Sequence, residues 1–253
     1  MAWGGADTAP ATYFKIAAPV NESKETPRLR MYLLCSFALG VALLIEACHC
    51  MKITARCHCN RGNPFYGAFN DPLPPGATTL ERAAWFFSRV SYSSALLLAT
   101  YFALRAAEHP FPRRSLDSVN SFQRLFKATA PFCLSVDAIY IGAVSYTGGA
   151  EALATLSFSS AVVHGLDAVM CILHMPEVDE YDSTDAATIA IAIAGLYAAG
   201  WAWHGSTGRW PYNVFRLRSA RGSAAFALCA LVVAGAALTL DTARAWVARG
   251  DSG

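Results

Sequence analysis

The stretch AVVHGLDAVMCILH, Ala161 to His174, reads as the inside of an apolar helix, yet it carries His164 and, three positions on, Asp167. Residues three apart share one face of a helix. An imidazole beside a carboxylate can be a base held in one tautomer by an acceptor. Asp137, near the middle of the preceding apolar segment, is a third ionisable group in the same kind of setting. Glu46 is a fourth, nearer a segment end. A charge inside a bilayer costs about 2.5–3.5 kcal/mol on insertion scales, which makes such residues functional-site candidates. The competing role is glue, a hydrogen bond to a neighbouring helix, and pairing with a polar neighbour is the readier reading for Asp137. For the base to act, a hydroxyl is needed. Ser88, Ser91, Ser93, Ser94 and Thr100 crowd one apolar segment. A hydroxyl next to an imidazole serves as a nucleophile in ester cleavage, although serines in membrane helices also pack and hydrogen-bond. No G-x-S-x-G elbow is present, which excludes an α/β-hydrolase.

A second cluster, CHCMKITARCHCN, holds Cys48, His49, Cys50, Cys57, His58 and Cys59. Disulfides rank first for it, unpaired interfacial cysteines second and a metal last, because the C-x-C spacing is strained around one tetrahedral ion. No metal and no cofactor is expected. A di-haem bundle needs histidine pairs at matched depth on facing helices. His164 is deep, whereas His109, His174 and His204 fall at helix ends.

The elements that must position these groups are apolar rods. The 253 residues are 55% hydrophobic and 15% charged, with mean hydropathy +0.33, against about 25% charged in soluble domains. Six segments approach the roughly 20 apolar residues a spanning helix needs: Met31–Met51, Arg82–Ala106, Ala128–Tyr146, Leu153–Leu173, Asp185–Trp203 and Ser223–Val247. The expected fold is all-α, a polytopic six-transmembrane-helix bundle over residues 31–247. A polar tail (1–30) precedes it, a cysteine-containing loop (52–79) interrupts it and a short C-tail (248–253) ends the chain. The net charge of +2, with no basic cluster among aromatics, excludes nucleic acid as a partner. Lys and Arg favour the cytoplasm. The side holding both termini carries eleven and the other eight, which favours cytoplasmic termini. The third and fourth spans share a very short loop and should pack antiparallel, so Asp137 can meet His164 and Asp167 at one depth.

Three motifs carry a resemblance. HGLDAV (His164–Val169) is similar to the His-Gly-x-Asn/His stretch of the androgen-induced protein family, multi-pass membrane hydrolases of fatty acid esters of hydroxy fatty acids that are related to the rolling-stone proteins. TGRWPY (Thr207–Tyr212) resembles that family's Thr-Gly-x-Trp-x-Tyr-Pro, with Asn213 in place of the proline. Tyr101-Phe102 stands where relatives carry paired aromatics. The resemblance implies six spans and a hydroxyl nucleophile in the second span paired with the motif histidine. Carried over, the family's Thr falls on Ser91 and its His on His164, with Ser88 and Ser94 behind Ser91; by their own position in the apolar segments, Asp167 or Asp137 would orient the ring. The resemblance further implies a lipid ester drawn from the bilayer and an endoplasmic reticulum or other endomembrane location. Trp210 and Tyr212 suit the headgroup region, and Arg209 can bind phosphate or carboxylate there. They serve there as an anchor or, with His204, Arg209, Tyr212 and Asp137, as substrate-binding residues. The rolling-stone side implies the alternative, a non-enzymatic scaffold or signalling protein in which His164 is structural. A small transporter is the third possibility, for which Asp137, His164 and Asp167 are few.

Overall fold

The computed structural model describes residues 22–52, 76–108, 116–154 and 158–250, and among them every regular element is helical. The helices are α1 (Glu22–Lys52), α2 (Thr79–Phe87), α3 (Val90–Glu108), α4 (Leu116–Ala154), α5 (Phe158–Ala161), α6 (Asp167–His174), α7 (Ser183–Thr207) and α8 (Ala220–Gly250). A π-helical turn, Val162–Leu166, joins α5 to α6. The tail before residue 22, most of the cysteine loop with Cys57, His58 and Cys59, His109 and residues 251–253 lie outside the described residues. Cys48, at the end of α1, is exposed and free.

Among the described residues, four helices are long and apolar enough to cross a membrane: Pro27–Cys48, Phe122–Gly142, Ser183–Thr207 and Ala220–Val247. The second and fourth segments expected from the sequence are not among them; the second carries a break at Ser88–Arg89, after which α3 keeps 19 residues. In the second, Ser88 Oγ donates to the Trp85 carbonyl (2.7 Å) and Ser93 Oγ to the Phe87 carbonyl (2.7 Å). Serine hydroxyls that capture carbonyls compete with the helical ladder, and the chain breaks between α2 and α3. In the fourth, the described residues begin at Phe158, and from there the helix runs through the π-turn to His174.

Chemistry at the ends fixes where rods start and stop. Thr78 and Glu81 form a reciprocal capping box at α2, and Asp182 and Asp185 do so at α7, each satisfying N–H groups that a helix start leaves open. Gly208, with φ +71°, ends α7 in the left-handed region that favours glycine. At the start of α8 a Cβ on Gly222 would stand 2.2 Å from the Arg216 carbonyl oxygen, so only glycine lets that turn close.

The core lies where α1, α3, α4 and α6 meet. Leu39, Leu98, Tyr101, Phe102 and Phe126 are fully buried there. Outward-facing apolar residues such as Leu34, Phe37, Ile191, Leu231 and Leu238 are well exposed. Such a surface suits hydrocarbon rather than water.

Candidate functional site: an imidazole and two carboxyls in the bundle

Helices α4 and α6 run antiparallel, and their contacts form a ladder of matched levels. Phe126 faces His174, with ring centroids 5.0 Å apart. Cys133 meets Cys171, Asp137 meets Asp167, and Tyr140 stacks on His164 at 3.9 Å and 14°. Helix α3 joins the ladder in the opposite sense to α4, through Tyr101 on Phe126 (5.0 Å) and Ser94 against Cys133. Continuing that register one turn along α3 puts Val90 and Ser91 level with Asp137.

The π-turn is the irregular piece. The Asp167 N–H donates to the Val162 carbonyl, five residues back, and His164 departs from helical geometry (φ −122°, ψ 28°). One extra residue rotates the downstream helix by about 100°. His164 and Asp167 therefore do not face each other as three-apart residues on a regular helix would. Instead, His164 Nδ1 lies 3.7 Å from Asp137 Oδ1. The Asp137 carboxyl lies within hydrogen-bond reach of Asp167. Asp167 also accepts from the Ala168 N–H at 2.9 Å. Asp137 and Asp167 are 3% and 1% exposed, so both are out of contact with water. Neither Asp137 oxygen receives a hydrogen bond from a standard donor, and His164 Nδ1 makes none. Buried polar atoms are normally satisfied, and π-turns recur at functional sites. This under-satisfied group sits on one.

The remaining sequence candidates gather elsewhere. Tyr212 Oη accepts from the Val90 N–H (2.8 Å) and lies within hydrogen-bond reach of Ser91. Burial pushes the Tyr212 phenol up, against the lowering effect of Arg89. Arg89 lies over the Trp85 ring (4.1 Å) and the Tyr212 ring (4.8 Å). His204 stacks on Trp210 at 4.2 Å and 8°, with Trp201 edge-on to Trp210. The Arg209 N–H donates to Thr207 Oγ1 (3.2 Å), closing the turn after α7. The structure thus sorts the candidates into three groups: His164, Asp137 and Asp167; Ser91 and Tyr212 with Arg89; and His204 with Trp210, next to the Arg209 turn. Among the described hydrogen bonds, none joins Ser91 to His164. Ser94 Oγ donates to the Ser91 carbonyl (3.1 Å) and lies beside Cys133.

Three sets of contacts escape the sequence reading. Tyr140, three residues after Asp137, is the ring under His164, and that spacing was the available signal. His174 is fully buried: its Nε2 is 2.5 Å from Tyr101 Oη, and its Nδ1 is 3.5 Å from Glu177, which takes a hydrogen bond from Tyr32 (2.5 Å). Glu46 accepts from Ser159 Oγ (2.5 Å) and Tyr92 Oη (3.1 Å), joining α1, α3 and α5. No spacing rule links residues so far apart in the chain.

Fold and site together define an all-helical membrane-type bundle with an imidazole–dicarboxyl cluster inside it. No family model, curated protein or solved structure matches this chain.

Proposed function

We propose that this chain is an integral membrane lipid-ester hydrolase, of the type that cleaves fatty acid esters of hydroxy fatty acids. All six rods cross the bilayer of an endomembrane such as the endoplasmic reticulum, with both termini in the cytoplasm. The observation that carries the reading is the pair of His164 on the π-turn with Asp137 on α4, whose facing Nδ1 and carboxyl oxygens are buried without hydrogen bonds. Asp137 beside Nδ1 favours the tautomer with the proton there, which leaves Nε2 as a base. Ser91, level with Asp137 by the helix register, is the first hydroxyl in line for it, and Ser94 is the second. Ser91 has to rotate from Tyr212 toward the ring to act.

In the reaction, Ser91 Oγ attacks the ester carbonyl and gives its proton to His164. The tetrahedral intermediate collapses to an acyl-serine, and the leaving alkoxide takes the proton from His164. Water, deprotonated by the same imidazole, then releases the fatty acid and restores the serine. The Tyr212 phenol, beside Ser91, is a donor for the developing oxyanion. Apolar rods give a lipid substrate access from the bilayer, without passage through water.

The non-enzymatic reading has one observation in its favour. Stacking on Tyr140 and attraction to Asp137 would hold α4 to the π-turn with no chemistry at all. Labelling by a fluorophosphonate probe, which reacts with activated hydroxyls, separates the two. Membranes with matched levels of wild type, Ser91→Ala, Ser94→Ala and His164→Ala are compared. Loss in His164→Ala and in one serine variant supports the hydrolase and identifies its nucleophile. No labelling of folded wild type overturns it in favour of the scaffold.

A further inference from the structure

Asp137 and Asp167 are two buried acceptors in contact, with no Lys or Arg ion pair to either among the described residues. Two carboxylates that share a dry site do not both ionise. The groups that face the pair are few. From α4 come Cys133 and Asp137, from α6 Asp167 and Cys171, from the π-turn His164, and from α3 Ser94 beside Cys133. Neither oxygen of Asp137 receives a hydrogen bond from a standard donor. A proton on Asp167 supplies the one that is missing. The alternative is a proton on Asp137, given to Asp167, which already accepts from the Ala168 N–H. That arrangement would leave the carboxylate facing a single amide and the thiols. It would also take the negative charge away from His164, the cationic centre when the base is protonated.

We propose that Asp167 is a positioning residue that works in its neutral form, donating to Asp137, which stays ionised and faces His164 Nδ1. The line runs from the Asp167 hydroxyl to the Asp137 carboxylate to the His164 imidazole. It explains how two acids and a base share one apolar depth: the site carries one negative charge rather than two, and that charge is aimed at the ring. The role of Asp167 in turnover rests on the hydrolase reading above, whereas its protonation does not.

The test uses the full-length chain, purified in detergent micelles. Infrared spectra at neutral pH look for the C=O stretch of a carboxylic acid, which carboxylates lack. In parallel, turnover is measured on a fatty acid ester of a hydroxy fatty acid. The expected result is a carboxylic band in wild type that vanishes in Asp167→Asn. In Asp137→Asn the same band should persist at a shifted frequency, because the acceptor has changed; this keeps the test open if Asp167→Asn fails to fold. Asp167→Asn keeps an N–H donor and should hold turnover within a few-fold, whereas Asp167→Ala should lose about tenfold or more. A spectrum with no band that depends on Asp167 overturns the proposal. So does equal loss of turnover in Asp167→Asn and Asp167→Ala. A band lost in Asp167→Asn together with an inactive wild type sinks the hydrolase reading and leaves the neutral Asp167 standing.

Discussion

His164 and His174 lie ten residues apart on one rod, both packed against α4 and both with a carboxylate near Nδ1. Their surroundings differ in kind. His174 ends a regular helix inside a cage of rings from Tyr32, Tyr101, Phe102 and Phe126. Its Nε2 meets Tyr101, and the carboxylate beside it is occupied by Tyr32 and by Arg28. His164 sits on a distorted turn against the Tyr140 ring, and the Asp137 carboxyl beside it is short of donors. Each histidine leaves its buried Nδ1 without a hydrogen bond, so the contrast lies in the neighbouring carboxylates: Glu177 is held by Tyr32 and Arg28, whereas Asp137 is left short of donors and open to a ligand or a proton. Burial separates the two histidines only in degree, with the His174 side chain 1% and the His164 side chain 9% exposed. The state of their partners separates them in kind.

The largest effect expected from this contrast is on activity. His164→Ala should lower ester turnover and probe labelling by about 10²–10⁴-fold while leaving thermal unfolding in micelles close to wild type. His174→Phe should do the reverse, with lost stability and labelling retained per folded molecule. If both variants lose labelling in proportion to lost folding, the contrast between glue and base is broken.

The pH dependence of stability comes next in size. Burial holds the His174 imidazole down to about 4 from its ordinary 6.5, reinforced by Arg105 and Arg28 and opposed by Glu177. Above pH 6.5 the ring is neutral in both the folded and the unfolded chain. As pH falls through 6.5 the unfolded chain binds a proton that the folded chain refuses, so stability drops until about pH 4 and then levels. That gap of about 2.5 pH units is worth about 3 kcal/mol. Chemical-denaturant unfolding of wild type and His174→Phe between pH 4 and 8 measures it. The variant should show the shallower slope, and equal slopes would mean that His174 is accessible to protons.

Much of this contrast was legible in the chain. Asp137 and His164 are ionisable residues in apolar runs joined by a short loop, so their meeting at one depth follows from antiparallel packing. Their partners were harder to read. The pairing of His164 with Asp137 rather than Asp167 depends on a π-turn, and nothing in VVHGL announces one extra residue. The break at Ser88–Arg89 was foreshadowed by the serine cluster, because hydroxyls that bond carbonyls weaken a helix, yet its position depends on which carbonyls they find. The His174 cage joins Tyr32, Tyr101 and Glu177 from three separate parts of the chain. Periodicity can say that each is on a buried face but not that they converge.

Smaller effects sharpen the comparison from the side of the partners. Tyr101→Phe keeps the ring packing and removes one hydroxyl, leaving His174 Nε2 buried without its hydrogen bond. The expected cost is about 1–2 kcal/mol of stability, read from thermal unfolding, with no change in labelling. Tyr140→Leu is the matched change at the other histidine. It keeps an apolar side chain beneath His164 and removes a stacked ring, an interaction worth about 0.5–1.5 kcal/mol. Stability should move little, because Tyr140 is half-buried whereas Tyr101 is fully buried. Turnover should fall by up to about tenfold, since about 1.4 kcal/mol of lost positioning corresponds to a factor of ten in rate. The two variants exchange their signatures if the assignments are reversed. A Tyr101→Phe protein that is stable but slow, beside a Tyr140→Leu protein that is fast but unstable, would make His174 the working base and His164 the strut.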